Sequence, residues 1–460
     1  MSRGTVIDLC YLIAAVSFIV ALKALSSPRR ARWGNLIAAF GMALAIGVTF
    51  AEPGLGHIGL MVGAMAVGVV IGVPAARLVK MTAMPQMVAA FNGVGGGAAA
   101  VVSITEFIGA DTKLLATYKV IEVVFGVLVG ALSFAGSVLA FLKLQELMPT
   151  RPVTYPAQQA INGVVALAIL GFVLAIVVTS STALLWVLLA LALVLGVIFV
   201  LPIGGADVPV LISLLNSFTG LAVAASGFTL DSNVLVVAGT LVGASGMLLT
   251  RMMSAAMGRS LPNILFSAFG SVVTATGSTQ SGDRSVRPGT PEDVGTLLAY
   301  SRKVVLVPGY GLAVAQAQHT AKELADALIA RGVEVFYAIH PVAGRMPGHM
   351  NVLLAEANVP YEELREMEEA NPEMPTADVA LVVGANDTVN PAARNTPGSP
   401  IYGMPIIDAD AAEHIVFLKR SMRPGFAGID NDLLYDPKTT MLFGDAKDTL
   451  QKLVTAVADA

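Results

Sequence analysis

The sequence predicts a multi-span α-helical membrane domain of about nine helices, followed by a cytoplasmic α/β domain of the Rossmann-like, doubly wound type. Of its 460 residues, 55% are hydrophobic and only 13% are charged, against about 25% charged residues in a typical soluble domain. The charged residues are also segregated, because residues 1–270 are almost entirely apolar and the rest has an ordinary soluble composition. We therefore expect a transmembrane domain at 1–270, a flexible linker at 271–291 and a soluble domain at 292–460.

Nine apolar runs in the first domain are each long enough to cross a bilayer, which takes about 20 residues in a helix. Polar breaks separate the runs, and the break at 179–182 is the shortest. The first run, 5–22, lacks the basic start and short apolar core of a cleaved signal peptide, so we expect it to be retained. The runs are centred near Ala15, Ala43, Ala66, Ala99, Leu128, Leu170, Leu191, Leu215 and Leu241.

The basic residues around these runs lie at every second break or beyond the last run, and therefore on one side of the membrane. The positive-inside rule places that side in the cytoplasm. With nine spans, the N-terminus is then outside and the C-terminal domain is cytoplasmic. The basic residues on this side are Lys23, Arg29, Arg30, Arg32, Arg77, Lys80, Lys143, Arg151, Arg251 and Arg259.

Polar residues inside apolar runs indicate a polar path, since an aspartate near the bilayer centre costs roughly 2.5–3.5 kcal/mol on insertion scales. The candidates are Asn92, Glu122, Asp207, Asn216 and Ser245. Structural alternatives exist for most of them. Glu122 has Lys119 one turn away as a partner, and Asp207 precedes a helix that it could cap. Asn92 and Asn216 could instead make interhelical hydrogen bonds.

Several classes of site are excluded by composition. The only cysteine is Cys10, so the chain has neither an internal disulfide nor a cysteine metal site. The histidines lack metal-binding spacing, and a net charge of -4 gives no indication of nucleic-acid binding. We expect no metal and no nucleic-acid partner.

Strands and helices alternate in the soluble part, which predicts a parallel sheet. A short helix at 293–301 leads into it. The expected strands are 304–307, 333–339, 379–383, 406–407, 415–418 and 441–443. An amphipathic stretch at 315–331 and a closing helix at 446–457 complete the pattern.

A glycine motif follows the first predicted strand. Gly309 permits a tight turn and Gly311 permits close approach of a pyrophosphate, as in dinucleotide-binding loops. Val314 stands where a third glycine or alanine is usual, so we expect looser helix packing there. The position between strand and helix is what makes this short motif informative.

The second predicted strand ends at His340 without the acidic residue that an NAD site uses to bind the ribose. Basic residues are available instead, at Arg345 and at the end of a later strand, Lys419 and Arg420. An arginine fork suits a phosphate group, so the pattern favours NADP over NAD. The alternative for the last two is a solvated basic strand end.

The loop that follows the strand 379–383 is a second candidate, because ligands bind beyond the carboxyl ends of strands in doubly wound sheets. Asn386 and Asp387 are placed there to contact a ribose or nicotinamide, and Asp387 is a candidate proton sensor. An Asx turn is the structural alternative.

The chain resembles the proton-translocating NAD(P) transhydrogenase beta subunit over essentially its whole length. The stretches that carry the resemblance are PGYGLAVAQAQ at 308–318, HPVAGRMPGHMNVLLAE at 340–356, VGANDTVNPA at 383–392, KRS at 419–421, MLFGDAK at 441–447, GGADVP at 204–209 and LNSFTG at 215–220. The resemblance implies hydride transfer between NADH and NADP while protons cross a bacterial cytoplasmic membrane. It also implies NADP(H) on this chain, NAD(H) on a separate alpha subunit, and an assembly with two copies of each subunit.

Residue roles follow from the same resemblance. The residues implied to contact NADP(H) are Gly309, Tyr310, Gly311, Leu312, Ala313, Val314, Arg345, Gly384, Asn386, Asp387, Thr388, Lys419, Arg420 and Ser421. Those implied in coupling and the proton path are Asn92, Asp207, Asn216, Ser245, Asp387 and His340. Some members have histidine at Asn92 and tyrosine at Phe426, and here Asn92 can only hold water or hydrogen-bond.

Two other classes of protein share parts of this pattern. A transporter gated by a nucleotide-sensing domain has a comparable glycine turn, but such sensors usually have the acidic residue that this chain lacks after its second strand. A membrane-anchored reductase needs fewer spans and no polar residues within them.

Overall fold

The chain forms two compact units, and each is described by itself. The first holds the long apolar helices and the second holds a sheet. The computed structural model describes residues 3–25, 30–53, 55–80, 83–109, 117–145, 147–149, 153, 155–204, 207–257, 260–266, 285–344, 348–396, 399, 401–425 and 427–460.

Nine helices in the described residues are long and apolar enough to cross a membrane, with mean hydropathy between 1.4 and 3.0 in their most apolar windows. The nine predicted spans are therefore confirmed by length and composition. They are α1 (Arg3–Leu25), α2 (Ala31–Thr49), α3 (Ile58–Leu78), α4 (Met84–Gly109), α5 (Thr117–Leu144), α6 (Gln158–Thr179), α7 (Thr182–Val200), α8 (Val208–Thr229) and α9 (Asn233–Ala256).

Glycines allow these helices to pack backbone against backbone. A Cβ added at Gly130 of α5 would lie 2.7 Å from the carbonyl oxygen of Gly96 in α4, and one added at Gly239 of α9 would lie 2.4 Å from the amide nitrogen of Ala224 in α8. Close packing of small residues replaces the hydrophobic effect as the source of helix association in a bilayer. By contrast, no residue of α3 is buried within the described part of the chain.

The second unit contains a six-stranded parallel sheet in the order β3-β2-β1-β4-β5-β6. This is the order of a doubly wound Rossmann-like sheet, in which the strand order reverses between β1 and β4. The fold class predicted from the sequence is confirmed. The strands are β1 (Lys303–Pro308), β2 (Glu334–Ile339), β3 (Leu364–Glu366), β4 (Val379–Val383), β5 (His414–Lys419) and β6 (Thr439–Phe443).

One predicted strand is wrong and one was missed. Residues 406–407 are buried but lie outside the sheet, and the amide of Ile407 bonds to the carbonyl of Thr388 in a loop. The third strand is instead Leu364–Glu366, which pairs with Tyr337–Ile339. Its three residues, Leu-Arg-Glu, lack the apolar run by which sequence reasoning finds a strand.

Eight shorter α-helices follow α9 in the described residues. They are α10 (Leu261–Phe266), α11 (Pro291–Ala299), α12 (Tyr310–Val314), α13 (Gln318–Ala330), α14 (His349–Glu356), α15 (Met367–Ala370), α16 (Ala392–Asn395) and α17 (Ala446–Asp459). The hydroxyl of Thr290 caps α11 and the carboxylate of Asp445 caps α17, as expected for helix N-termini.

The predicted amphipathic stretch 315–331 is not one helix with the glycine motif at its start. The motif forms the short helix α12 itself, and α13 begins only at Gln318. Gln316 between them has a φ of 50°, a left-handed conformation that interrupts helical hydrogen bonding. The sequence carries no glycine or proline there to announce the break.

The end of the expected linker pairs with the sheet. Its residues 271–284 lie outside the described residues. The amide of Met441 donates to Arg287 O at 2.8 Å and Gly289 N donates to Met441 O at 2.9 Å, which forms a parallel bridge on the outer side of β6.

We predict that Gly239→Ala destabilises the helical unit by about 1–3 kcal/mol, the usual effect of overpacking, because the contact atom is backbone and cannot turn aside. Gly68→Ala in α3 is the matched control, since no atom lies within 4 Å of its added Cβ. Thermal unfolding of the purified protein in detergent measures both. Equal melting temperatures for the two variants would contradict the packing described above.

Candidate nucleotide site and membrane polar cluster

The loops that follow β1 and β4 touch at the point where the sheet changes winding direction. Gly309 N donates to Val383 O and Gly311 N donates to Gly384 O, each at 2.9 Å. A Cβ on Gly311 would lie 2.6 Å from the Cα of Gly384, and Gly384 itself has a φ of 65°. Glycine is required at these positions because two backbones meet there. The close approach that Gly311 permits in this structure is to the Gly384 backbone, and its contact with a pyrophosphate stays a prediction.

The rest of the glycine motif forms α12. Leu312 and Ala313 are buried, and the ring of Tyr310 lies 6.5 Å from that of His349 between centroids. Val314 is 42% exposed, so it does not pack its helix against the sheet. The expectation that Val314 loosens this packing is therefore wrong, because the residue is on the solvent side of a helix that ends there.

Three predicted site residues join in one hydrogen-bonded group beyond β4 and β5. Lys419 Nζ donates to Asn386 Oδ1 at 3.1 Å, and Asn386 Nδ2 donates to Asp387 Oδ1 at 2.9 Å. Burial lowers the pKa of the Lys419 ammonium, and the charges of Asp430 and Asp387 oppose that effect. The fold thus places a half-buried cation and a carboxylate side by side at the switch point.

A segment after β5 is hydrogen-bonded to Asn386, Asp387 and Asn390. Ala427 N donates to Asp387 Oδ2 at 2.9 Å, Asn431 Nδ2 donates to Asn386 O at 3.1 Å, and Asn390 Nδ2 donates to Asp430 O at 2.9 Å. A Cβ on Gly425 would lie 2.5 Å from Asp387 Oδ1. We call residues 423–431, apart from the undescribed 426, the strap. Gly425 and Ala427 of the strap lie beside the two oxygens of the Asp387 carboxylate.

Arg420 and Ser421 follow Lys419 and are exposed. Thr388 has a buried Oγ1 without a hydrogen-bond partner among the described residues. Arg345 lies outside the described residues.

His340 directly follows β2 and is fully buried. Its Nε2 lies 2.7 Å from Pro405 O, and Val342 N donates to its Nδ1 at 3.2 Å. Because Nδ1 accepts a hydrogen bond, Nε2 carries the proton and the ring is neutral. Burial lowers the pKa of this imidazole, against the opposing hydrogen bond to Pro405 and the charge of Glu368.

In the membrane unit, Asn92 belongs to a buried polar cluster made by α4, α5 and α8. Its Nδ2 donates to Ser137 Oγ at 2.8 Å and to Ser133 Oγ at 3.4 Å. Ser133 Oγ lies 2.6 Å from Thr219 Oγ1 and donates to Leu215 O at 2.8 Å. Asn92 Oδ1 is buried without a hydrogen-bond partner among the described residues, and a water molecule would satisfy it.

The other predicted membrane residues do not all join this cluster. Asn216 is partly exposed on α8, and Ser245 is exposed with its hydroxyl bonded to Val242 O in its own helix. Asp207 is buried just before α8.

Glu122 does not form the ion pair with Lys119 that was its structural alternative. Lys119 Nζ binds Asp231 Oδ2 at 3.1 Å, in the turn between α8 and α9. In the sequence, Glu122 is the acidic residue one helical turn from Lys119. In the structure, the loop between α8 and α9 brings Asp231 to Lys119 instead.

Sequence reasoning missed residues in both places. Ser133 and Ser137 are spaced four apart within an apolar run, which puts both on one face of a helix, and that spacing was the available signal. Asn390 and Asn431 had no such signal, because each is an isolated asparagine whose buried role depends on where the strap lies.

Nine long apolar helices in the described residues, followed by a parallel sheet with a glycine loop at its switch point, define a multi-pass membrane protein with a Rossmann-like domain. The chain belongs to the NAD(P) transhydrogenase beta subunit family, whose model matches residues 7–456. Two curated relatives are each named NAD(P) transhydrogenase subunit beta, both from Rhodospirillum rubrum, one of them from a named strain. Each is 48% identical to this chain over 455 residues, which is 97% of this chain and 98% of the relative.

We predict that His340 makes the soluble unit less stable in acid. An unfolded histidine takes up a proton below about pH 6.5, but folded His340 does so only at lower pH. Its contribution is therefore complete above that pH and is lost as the pH falls below it, by at most roughly 1.4 kcal/mol per pH unit.

The measurement is chemical unfolding of the wild type and His340→Gln at about pH 7.5 and about pH 5.5. Glutamine keeps a donor for Pro405 but does not titrate. If both proteins lose the same stability between the two pH values, His340 is not the source of the acid sensitivity.

Proposed function

We propose that this chain, together with an alpha subunit, couples hydride transfer between NADH and NADP+ to proton movement across a membrane. In this proposal the soluble unit binds NADP(H), the helical unit forms part of the proton path, and NAD(H) binds the partner. The observation that carries it is the Lys419–Asn386–Asp387 group at the switch point of the sheet, in a chain of the transhydrogenase beta family.

The residues at the switch point fit NADP(H). In a doubly wound sheet, ligands bind beyond the carboxyl ends of the strands at the point where the strand order reverses. The glycine loops and Lys419 lie at that point. Thr388 adds a buried hydroxyl without a described partner. The residue that directly follows β2 is His340 and not an acidic residue. Both ring nitrogens of His340 are used in hydrogen bonds to the main chain. Arg420 is exposed and available to a phosphate.

The position of these cations sets the direction of the nucleotide. In the usual arrangement the ribose next to adenine is recognised after the second strand. Here Lys419 and Arg420 follow β5, on the other side of the switch point. If they bind the 2′-phosphate, the adenosine half lies over β4 and β5 and the nicotinamide points toward β1 and β2.

The bound nucleotides supply the hydride chemistry. This chain contributes position and exclusion of water. Asn386 and Asp387 hold the strap through Asn431 and Ala427, so a closed strap keeps water from one side of the site. We assign no side-chain acid or base to the hydride step.

Protons are proposed to pass through the Asn92 cluster in the helical unit, with Asp207, Asn216 and Ser245 as further candidates. Asn92 does not titrate, so it serves by holding water between hydroxyl groups. One proton moving down roughly 100 mV supplies about 2.3 kcal/mol, which shifts an equilibrium about 50-fold. That is enough to drive a nearly balanced exchange toward NADPH.

The proposed assembly has two alpha and two beta subunits in a bacterial cytoplasmic membrane. The family name implies the alpha subunit. The positive-inside rule supports an external N-terminus and a cytoplasmic soluble unit, and reporter labels on the two termini test that orientation.

A transporter gated by a nucleotide-sensing domain is the alternative. Membrane vesicles that contain this chain and its alpha subunit separate the two. Reduction of NADP by NADH with linked proton movement supports the transhydrogenase, hydride transfer without proton movement supports an anchored reductase, and solute flux without hydride transfer supports the transporter.

We predict that Lys419→Gln and Arg420→Gln each weaken NADP binding to the full chain by about 10- to 100-fold, the loss of one charge-assisted contact. Binding of NAD should not change, because NAD lacks the 2′-phosphate. Lys452→Gln removes an exposed lysine of α17 and is the control. Equal losses for the two nucleotides would reject these residues as phosphate ligands.

We also predict that Asp387→Asn releases NADPH about tenfold faster. Both carboxylate oxygens of Asp387 accept from N–H groups, so the amide must turn its NH2 group toward one donor and loosen the strap. Loss of NADPH fluorescence from the preloaded chain measures the release, with the exposed Asp459→Asn as control. A wild-type rate would show that Asp387 does not hold the strap closed.

A further inference from the structure

A fully buried lysine lies near the end of α5. Lys143 is 1% exposed, although the sequence placed it in a basic break between spans. Its Nζ donates to Val200 O at 3.2 Å, Leu201 O at 2.7 Å and Ile203 O at 2.7 Å. All three acceptors are main-chain carbonyls, so the three ammonium protons are satisfied at the end of α7.

The end of a helix is where a cation is best placed. The last four carbonyls of an α-helix have no intrahelical partner, and the helix dipole puts partial negative charge there. Pro202 follows α7 and cannot donate a main-chain hydrogen bond. Lys143 therefore supplies from another helix the donors that the α7 end lacks.

Three segments converge on this ammonium group. Leu201 O also accepts from Val153 N at 3.1 Å, which ties in the connection between α5 and α6. About two turns before Lys143, a Cβ on Gly136 would lie 3.0 Å from Leu215 Cδ2 and 3.2 Å from Val200 Cγ2. Thus α5 contacts both Val200 at the end of α7 and Leu215 of α8.

We infer that Lys143 is a positioning residue for proton coupling, which holds the end of α7 against α5 and so maintains the packing of both helices with α8. The inference rests on the proposed function. The helix α8 carries Asn216 and Thr219, and Thr219 Oγ1 lies 2.6 Å from Ser133 Oγ of α5. A change in the α7 end is passed to these groups through the contacts of Gly136 with Val200 and Leu215.

A simpler role for Lys143 is to orient the chain in the membrane, as the positive-inside rule requires. That role needs only a charge outside the apolar core, as at Lys80, which is exposed at the end of α3. The buried ammonium with three carbonyl partners is more than orientation requires. Lys80→Met therefore controls for loss of a basic residue on the same side.

The test uses vesicles that contain the full chain with its alpha subunit. Hydride transfer from NADPH to NAD+ and the linked proton movement are measured across pH, and both are normalised to bound NADP. For Lys143→Met we expect the coupled rate to fall about tenfold, as for loss of one charge-assisted hydrogen bond. We also expect fewer protons per hydride, a shifted pH profile and unchanged NADP affinity.

Two further variants complete the design. Lys143→Arg keeps charge and donors, so we expect it to retain the wild-type pH profile. If Lys143→Met does not accumulate, Lys143→Gln, which keeps donors without charge, replaces it in the same measurements.

The outcomes separate the two ideas. A wild type that transfers hydride without moving protons refutes the proposed function itself. A coupled wild type, with a Lys143 variant that keeps the wild-type proton-to-hydride ratio and pH profile, overturns the positioning role, even if its rate is uniformly lower. The same loss in Lys80→Met also overturns it.

Discussion

The soluble unit depends on the backbone contact between the loops after β1 and β4. Gly311 and Gly384 approach so closely that neither tolerates a side chain, and hydrogen bonds from Gly309 and Gly311 hold the two loops together. This contact fixes where the β4 loop leaves the sheet. It thereby fixes Asn386 and Asp387, and through them the strap.

In the membrane unit, small residues play the corresponding part. Gly96 and Gly130 bring α4 and α5 to backbone contact, which places Asn92 within reach of Ser133 and Ser137. A larger residue at either glycine would separate the helices and break the cluster. The polar contacts of Asn92 therefore depend on the close packing of α4 and α5, because the short side chains of Ser133 and Ser137 span only a narrow gap.

Periodicity and solvent preference were enough to predict most of the architecture from the sequence. The nine spans and the doubly wound sheet rest on long, regular patterns, and both are confirmed. Predictions failed where very few residues decided the outcome. The left-handed backbone of Gln316 breaks the helix, and the strand Leu364–Glu366 is too short to show alternation. The partners of Lys119 and Lys143 could not be predicted, because each lies on an element distant in sequence.

The bridge between residues 287–289 and β6 has a practical consequence for handling the soluble unit. Outer strands with open hydrogen-bonding groups invite pairing with another molecule. At one margin of this sheet the strand Leu364–Glu366 is very short, and at the other the segment around Pro288 covers β6. A fragment that begins at residue 292 would uncover β6 and invite self-association, whereas one that begins at 285 keeps its own cover.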